Sequence, residues 1–302
     1  MKLRLGTRGS RLALWQAEWV KSALERAGTT VEIVIIKTQG DAEIDRPLHQ
    51  LEGTGFFTKA IEDALLEERV DLAVHSLKDL PTKQPDGLVV GAIPERHDPG
   101  EALVARDAAV RSLDDLPPGA KVGTSSLRRI SQLRYRRPDV DVVALRGNVP
   151  TRVDKVVQGK DGLDAALLAV AGLERLGLGA SVTARLDPLD LMPAPGQGAL
   201  GLEIRAGDKS AAAALKPLHH PPTSIAVAAE RGLLAALGGG CQAPVAAWVD
   251  LAGRRLYGRV TATDGAVQLT ASAALELQRP QAAADKVADL LRGQGAQKLL
   301  ER

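Results

Sequence analysis

The stretch KLRLGTRGSRLALWQAEWVKSALERAG, residues 2–28, decides the fold class. Lys2 to Thr7 alternate apolar and polar side chains as a short strand does. Gly6-Thr7-Arg8-Gly9-Ser10 break that pattern, and Leu12, Trp15, Trp19 and Ala23 then recur at helical spacing until Gly28 stops them. Ser10 has the side chain of a helix N-cap. The β-branched run VEIVIIKT, residues 31–38, reads as a buried strand. Strand, helix and strand in this order open an α/β domain with a mostly parallel, covered sheet. Ligands of such sheets bind at the carboxyl ends of the strands.

The alternation continues with a helix over 58–69 and a strand over 71–75, and a Pro/Gly-rich stretch, 93–100, then marks a crossing. Strands at 101–106, 121–124, 140–145 and 165–170 follow, with helices at 127–137, from Pro150, and at 172–178. Pro193-Ala194-Pro195-Gly196 mark a second crossing, before a strand at 199–204. Two crossings around one block imply an inserted domain, and residues 93–100 and 191–196 are candidate hinges. Gly123-Thr124-Ser125-Ser126 repeat the place of Gly6 to Ser10 between a strand and a helix. A helix over 223–237, an antiparallel meander over 245–275 and a helix over 281–292 form a small α+β piece.

Composition narrows the function classes. The 302 residues are 45% hydrophobic and 25% charged, as in ordinary globular proteins, with a net charge of +2. Aromatic residues make up 2% of the chain, which argues against stacking platforms for single-stranded nucleic acid. Arginine supplies 26 of the 39 basic residues and favours bidentate binding of carboxylate or phosphate. The first residues carry no secretory pattern, and no apolar run is long enough to span a membrane. A cytoplasmic chain is expected. The five histidines and single cysteine show no metal-ligand spacing, and no phosphate-loop or dinucleotide pattern occurs.

Three constellations carry chemistry. Gly123 to Ser126 put backbone N–H groups and hydroxyls at a helix start, a ready anion site. Arg128 and Arg129 stand in the first turn, where the helix dipole disfavours cations, so an anion is expected to compensate them. Arg146, Arg152 and Arg8 also lie at strand–loop–helix junctions, whereas Arg134, Arg136 and Arg137 read as a solvated face. The run His75-Ser76-Leu77-Lys78-Asp79-Leu80-Pro81 follows a buried strand and delivers a carboxylate to an arginine-lined crevice. There it would stay ionised and stabilise a developing cation. Lastly, Leu237-Gly238-Gly239-Gly240-Cys241-Gln242-Ala243-Pro244 hold the only cysteine. The glycines alone leave a packing role and a chemical one both open.

Together these strings, with Leu145 to Asn148 and Pro195 to Ala199, resemble in order and spacing the porphobilinogen deaminase (hydroxymethylbilane synthase) family across the whole chain. The resemblance implies two periplasmic-binding-protein-like α/β domains, the second inserted in the first, plus a small C-terminal α+β domain. It assigns 1–94 and 195–216 to the first, 95–194 to the second and 217–302 to the third. The activity it implies joins four porphobilinogen units head to tail with loss of ammonia. The primer is a dipyrromethane cofactor bound as a thioether to Cys241. Lys78, Ser126, Arg128, Arg129 and Asn148 would hold that cofactor; Arg8, Ser10, Arg146, Arg152, Arg175, Phe57 and Gln197 would hold substrate. Asp79 matches the catalytic carboxylate. Thr54 and Gln39 depart from the family's basic residues in its flexible loops, which puts a charged lid in doubt. The implied partner is porphobilinogen, with no metal, nucleic acid or membrane, and a monomer is expected. A non-catalytic anion-binding protein of the same fold is the alternative, although it leaves Cys241 without a use.

Overall fold

The computed structural model describes residues 1–38, 58–240 and 243–301. The chain divides into two compact units, Met1–His97 with Gly198–Ser224, and Asp98–Gln197 with Ile225–Arg302.

The first unit is built on β1 (Lys2–Thr7), α1 (Arg11–Arg26), β2 (Thr30–Ile35), α2 (Lys59–Leu66), β3 (Leu72–Ser76) and β4 (Leu88–Ala92), joined later by β10 (Leu200–Arg205) and α6 (Lys209–Leu215). Its sheet has the order β2-β1-β3-β10-β4. β1 runs parallel to β2 and β3, whereas β10 is antiparallel to β3 and β4. Ala17, Val20 and Leu24 of α1 bury against one face, together with Ala211 and Leu215 of α6. Ile61, Ala64 and Leu65 of α2 cover the other. Both faces of β1, β3 and β10 are largely covered, which is why these strands read as apolar runs, whereas β2, expected to be a buried strand, lies at the sheet edge and buries only Val31 of its six residues.

The second unit repeats the plan with β5 (Glu101–Ala105), β6 (Lys121–Gly123), α3 (Leu127–Arg136), β7 (Asp141–Val143), α4 (Val149–Val157), β8 (Ala165–Ala169), α5 (Val170–Arg175) and β9 (Ala184–Leu186). The order is β7-β6-β8-β5-β9, with β5 antiparallel to β8 and β9. This sheet consists wholly of residues lying between β4 and β10, two strands of the first sheet. The rest of the unit is α7 (Pro221–Ala236) from Ile225 onward, the antiparallel meander β11 (Val245–Asp250), β12 (Arg255–Thr261) and β13 (Gln268–Ala274), then α8 (Pro280–Gly293) and α9 (Ala296–Leu300). Leu233, Val260, Val287 and Leu291 share its core. The expected mixed α/β class with a small α+β piece is what the chain adopts.

Within this unit Arg259 of β12 ties the meander to α3. It donates to Gln132 Oε1 (2.9 Å) and to the carbonyls of Leu189 (2.6 Å) and Asp190 (3.1 Å). Gly265, at φ 80°, packs so tightly on α3 that a Cβ there would lie 2.7 Å from the Tyr135 nitrogen.

Some elements differ from the sequence reading. β4, β9, α6 and α9 were not expected; β4 and β9 are sheet edges, each paired on one side only, where the apolar signal is weakest. The strand expected at 140–145 keeps only Asp141–Val143. Arg137 is not solvated. It donates to the Leu113 and Leu116 carbonyls and pairs with Asp139 at 2.7 Å.

Candidate active site

The first unit places a cleft at the carboxyl ends of β1 and β3. Ser10 caps α1, its Oγ accepting from the Ala13 N–H at 3.3 Å. Ser76 Oγ accepts from Gln16 Nε2 of α1 at 2.9 Å, which ties the end of β3 to that helix. A single 3-10 turn, Leu77–Asp79, then buries Leu77 and leaves Asp79 exposed and Lys78 half-buried. Arg8, Ser10, Thr58, His75, Ser76 and Asp79 all line the cleft. Thus Arg8, Ser10 and Asp79, expected to be functional, come together on one wall. His75 is itself buried, and beside it, away from the lining, are Glu62 and Glu203, also buried. Burial, and next the neighbouring Glu203, raises the Glu62 carboxyl above the ordinary carboxylate range.

The second unit has its junctions at the matching strand ends. Ser126 occupies the N-cap position of α3 without a side-chain cap bond, and Arg128 and Arg129 follow, both buried. The anion that compensates them is Glu101, the first residue of β5, with no exposed surface. Its Oε1 accepts from Arg128 Nη2 at 2.5 Å, and its Oε2 from Arg129 Nη2 at 2.7 Å. Arg128 also donates to the Met192 carbonyl (2.6 Å) and Arg129 to that of Leu167 (3.1 Å). Gln197 donates to Glu101 Oε1 at 3.0 Å and to the Pro99 carbonyl at 2.8 Å, so its amide belongs to the same buried group. Glu101 was missed in the sequence reading. Its one signal was a charge opening the otherwise apolar strand EALVA.

Asn148 caps α4, its Oδ1 accepting from the Thr151 N–H at 2.9 Å. Gly147 turns at φ 113°, a conformation suited to glycine, and its carbonyl accepts from Arg152 Nε at 2.7 Å. Burial lowers the Arg152 guanidinium to about 10, helped by the positive charges of Arg129 and Arg146. Arg175 of α5 is also buried, and burial lowers it to about 10. Both stay cationic at neutral pH. Cys241 and Phe57, like Gln39 and Thr54, lie outside the described residues. Up to Gly240 the glycine run is described: Gly238 is left-handed at φ 69°, and Gly240 accepts from the Ala243 N–H at 2.9 Å.

Residues 3–213 match the family model for the porphobilinogen deaminase dipyromethane cofactor binding domain, and residues 224–293 match that for the porphobilinogen deaminase C-terminal domain. The chain belongs to the porphobilinogen deaminase family. It is 46% identical to the porphobilinogen deaminase of Syntrophobacter fumaroxidans, over 99% of this chain and 97% of that one. A Moorella thermoacetica relative is 46% identical over 100% of this chain and 96% of its own. Against the chloroplastic protein of Euglena gracilis the identity is 49%, over 82% of this chain and 53% of the relative. The family carries the expected activity, hydroxymethylbilane synthase chemistry on a dipyrromethane cofactor, and disfavours the non-catalytic alternative. Among the described residues no helix is long and apolar enough to cross a membrane.

The residues present fit that cofactor. Two pyrrole rings, each with an acetate and a propionate, bring several carboxylates together. The second unit holds the half-buried Arg152 guanidinium, which pairs with no carboxylate among the described residues, at the junction where such a ligand is expected.

Proposed function

We propose that Asp79 is the catalytic carboxylate of this hydroxymethylbilane synthase and that Cys241 carries the dipyrromethane through a thioether. The observation that supports it is the shared cleft wall: Asp79 stands with Arg8 and Ser10, a cation and a hydroxyl suited to a substrate carboxylate. The exposed Asp79 carboxylate stabilises the positive charge that develops on a pyrrole ring as ammonia departs. When bound, the dipyrromethane supplies the primer ring to which the first unit is joined.

In this reading Lys78, Ser126, Arg128, Arg129 and Asn148 hold the cofactor. Arg128 and Arg129 divide their donors between Glu101 and a cofactor carboxylate, the buried pair fixing the fork in position. Arg8, Ser10, Arg146, Arg152, Arg175, Phe57 and Gln197 hold the incoming porphobilinogen. The functional pieces are 1–94 with 195–216, 95–194 and 217–302. The protein acts as a cytoplasmic monomer, with no nucleic acid, metal or membrane partner.

Intact mass tests the tether. Protein from cells that make porphobilinogen is expected to carry an adduct of two pyrrole units, and Cys241→Ala is expected to lack it and to be inactive. An adduct that persists in Cys241→Ala would sink the assignment.

A further inference from the structure

The buried charges behind the first cleft have no part in the chemistry assigned so far. Gly201 of β10 stands opposite His75 and Glu203 opposite Ala73, so His75 and Glu203 project from the same face of the sheet. Glu203 has no exposed surface and His75 is 5% exposed. His75 Nε2 lies 3.2 Å from Glu203 Oε2, but off the line of a hydrogen bond, and among the described residues neither Glu203 oxygen has another donor. Glu62 approaches from α2, and its carboxyl is held toward the neutral acid. A carboxylate taken out of water without hydrogen bonds costs several kcal/mol. That cost is explicable if its counter-charge forms only during turnover, as when an imidazole beside a buried carboxylate accepts a proton.

The reaction needs such an acceptor. Joining one porphobilinogen unit to the next breaks the C–N bond of the incoming aminomethyl group in its protonated, ammonium form, and the bond's electron pair leaves with nitrogen as neutral ammonia. The methylene carbon then bonds to the free ring carbon of the preceding unit. That ring carbon must release its hydrogen as a proton, the C–H electron pair restoring the ring. Asp79 is poorly suited to take it, because protonation would extinguish the charge that stabilises the cation. His75 lines the same cleft.

We propose that His75 Nδ1 accepts the ring-carbon proton at each condensation, with Glu203 as the positioning residue that orients the imidazole and balances the charge it gains. The proton then passes to water or to the departing ammonia, and the ring returns to neutral. Among the described residues, Glu203 from β10 and Glu62 from α2 face His75, and Asp79 from the 3-10 turn and Arg8 from the turn after β1 share its cleft. The inference rests on the assignment of this cleft through Asp79.

The test uses cofactor-loaded protein, its adduct checked by intact mass. In His75→Asn, kcat is expected to fall by about 10²-fold or more with KM nearly unchanged. Porphobilinogen deuterated at the free ring carbon should then show a primary isotope effect larger than in the parent enzyme. Glu203→Gln keeps the imidazole, so it reads the proposal even where His75→Asn fails to fold. It should move the acid limb of the pH–rate profile to lower pH, since the carboxylate favours the charged ring. The ring ¹⁵N signals of His75 should shift as well. A His75→Asn enzyme with kcat within about twofold of the parent, or a Glu203→Gln enzyme less stable but with an unmoved pH profile, overturns the proposal. An active Asp79→Asn would instead overturn the cleft assignment; an inactive one beside a normal His75→Asn would remove only His75.

Discussion

The two five-stranded sheets have one topology and opposite buried charge. Each places a strand, a glycine-led turn and a helix at its centre, β1 to α1 in one and β6 to α3 in the other, with one antiparallel strand inserted beside the third. Even Gln16 and Gln132 hold the same position in α1 and α3, and both are buried. The interiors diverge. At the first cleft His75 is buried beside Glu62 and Glu203; at the second junction Arg128 and Arg129 close on Glu101, and Arg152 and Arg175 add further cations to the same unit. Topology sets where a ligand can sit, while side-chain sign sets what it can be. The first interior suits a proton and a developing cation, the second the carboxylates of a polyanionic chain.

The contrast can be broken by one substitution made in both places. Glu101→Gln leaves two buried guanidiniums short of their counter-charge and should cost about 3–5 kcal/mol in denaturant unfolding. Arg152→Leu comes next. Removing a half-buried cation whose charge is already disfavoured should leave stability equal or higher, yet raise KM for porphobilinogen by about tenfold, the worth of a charged hydrogen bond. A fall in stability with unchanged KM would make Arg152 a structural residue. The smallest effect is Glu62→Gln, opposite in sign to Glu101→Gln. A raised carboxyl binds its proton more tightly in the folded state, so the parent loses stability as pH climbs from the ordinary carboxylate range through the raised value. The variant escapes that loss. Its melting temperature should exceed the parent's by a few degrees at pH 7 and match it near pH 4, as scanning calorimetry at the two pH values would show.

Much of the layout was readable before any coordinates. The 3.6 and 2.0 periods, Ser10 and Asn148 as caps, and the repeated glycine turns after β1 and β6 depend on neighbours a few residues apart. So does the apolar run that marks a doubly covered strand. The short motifs around Arg8, Asp79 and Arg128 were legible for the same reason, and they carried the family resemblance. What stayed hidden was pairing across the chain. Nothing local to Arg128 announces Glu101, which lies 27 positions away, and nothing near His75 announces Glu203 on a strand that returns after an entire second sheet. The expected compensating anion was thus right in kind, and its source came from the fold.

Sequence by itself determined the strand–helix order, the junctions between strand and helix and the residue types placed there, because each follows from steric and hydrogen-bonding rules acting over a turn or two. Tertiary structure alone decided which charges were buried together and which faced a cleft. Burial magnifies electrostatic energies, and burial is a property of how distant segments close on one another.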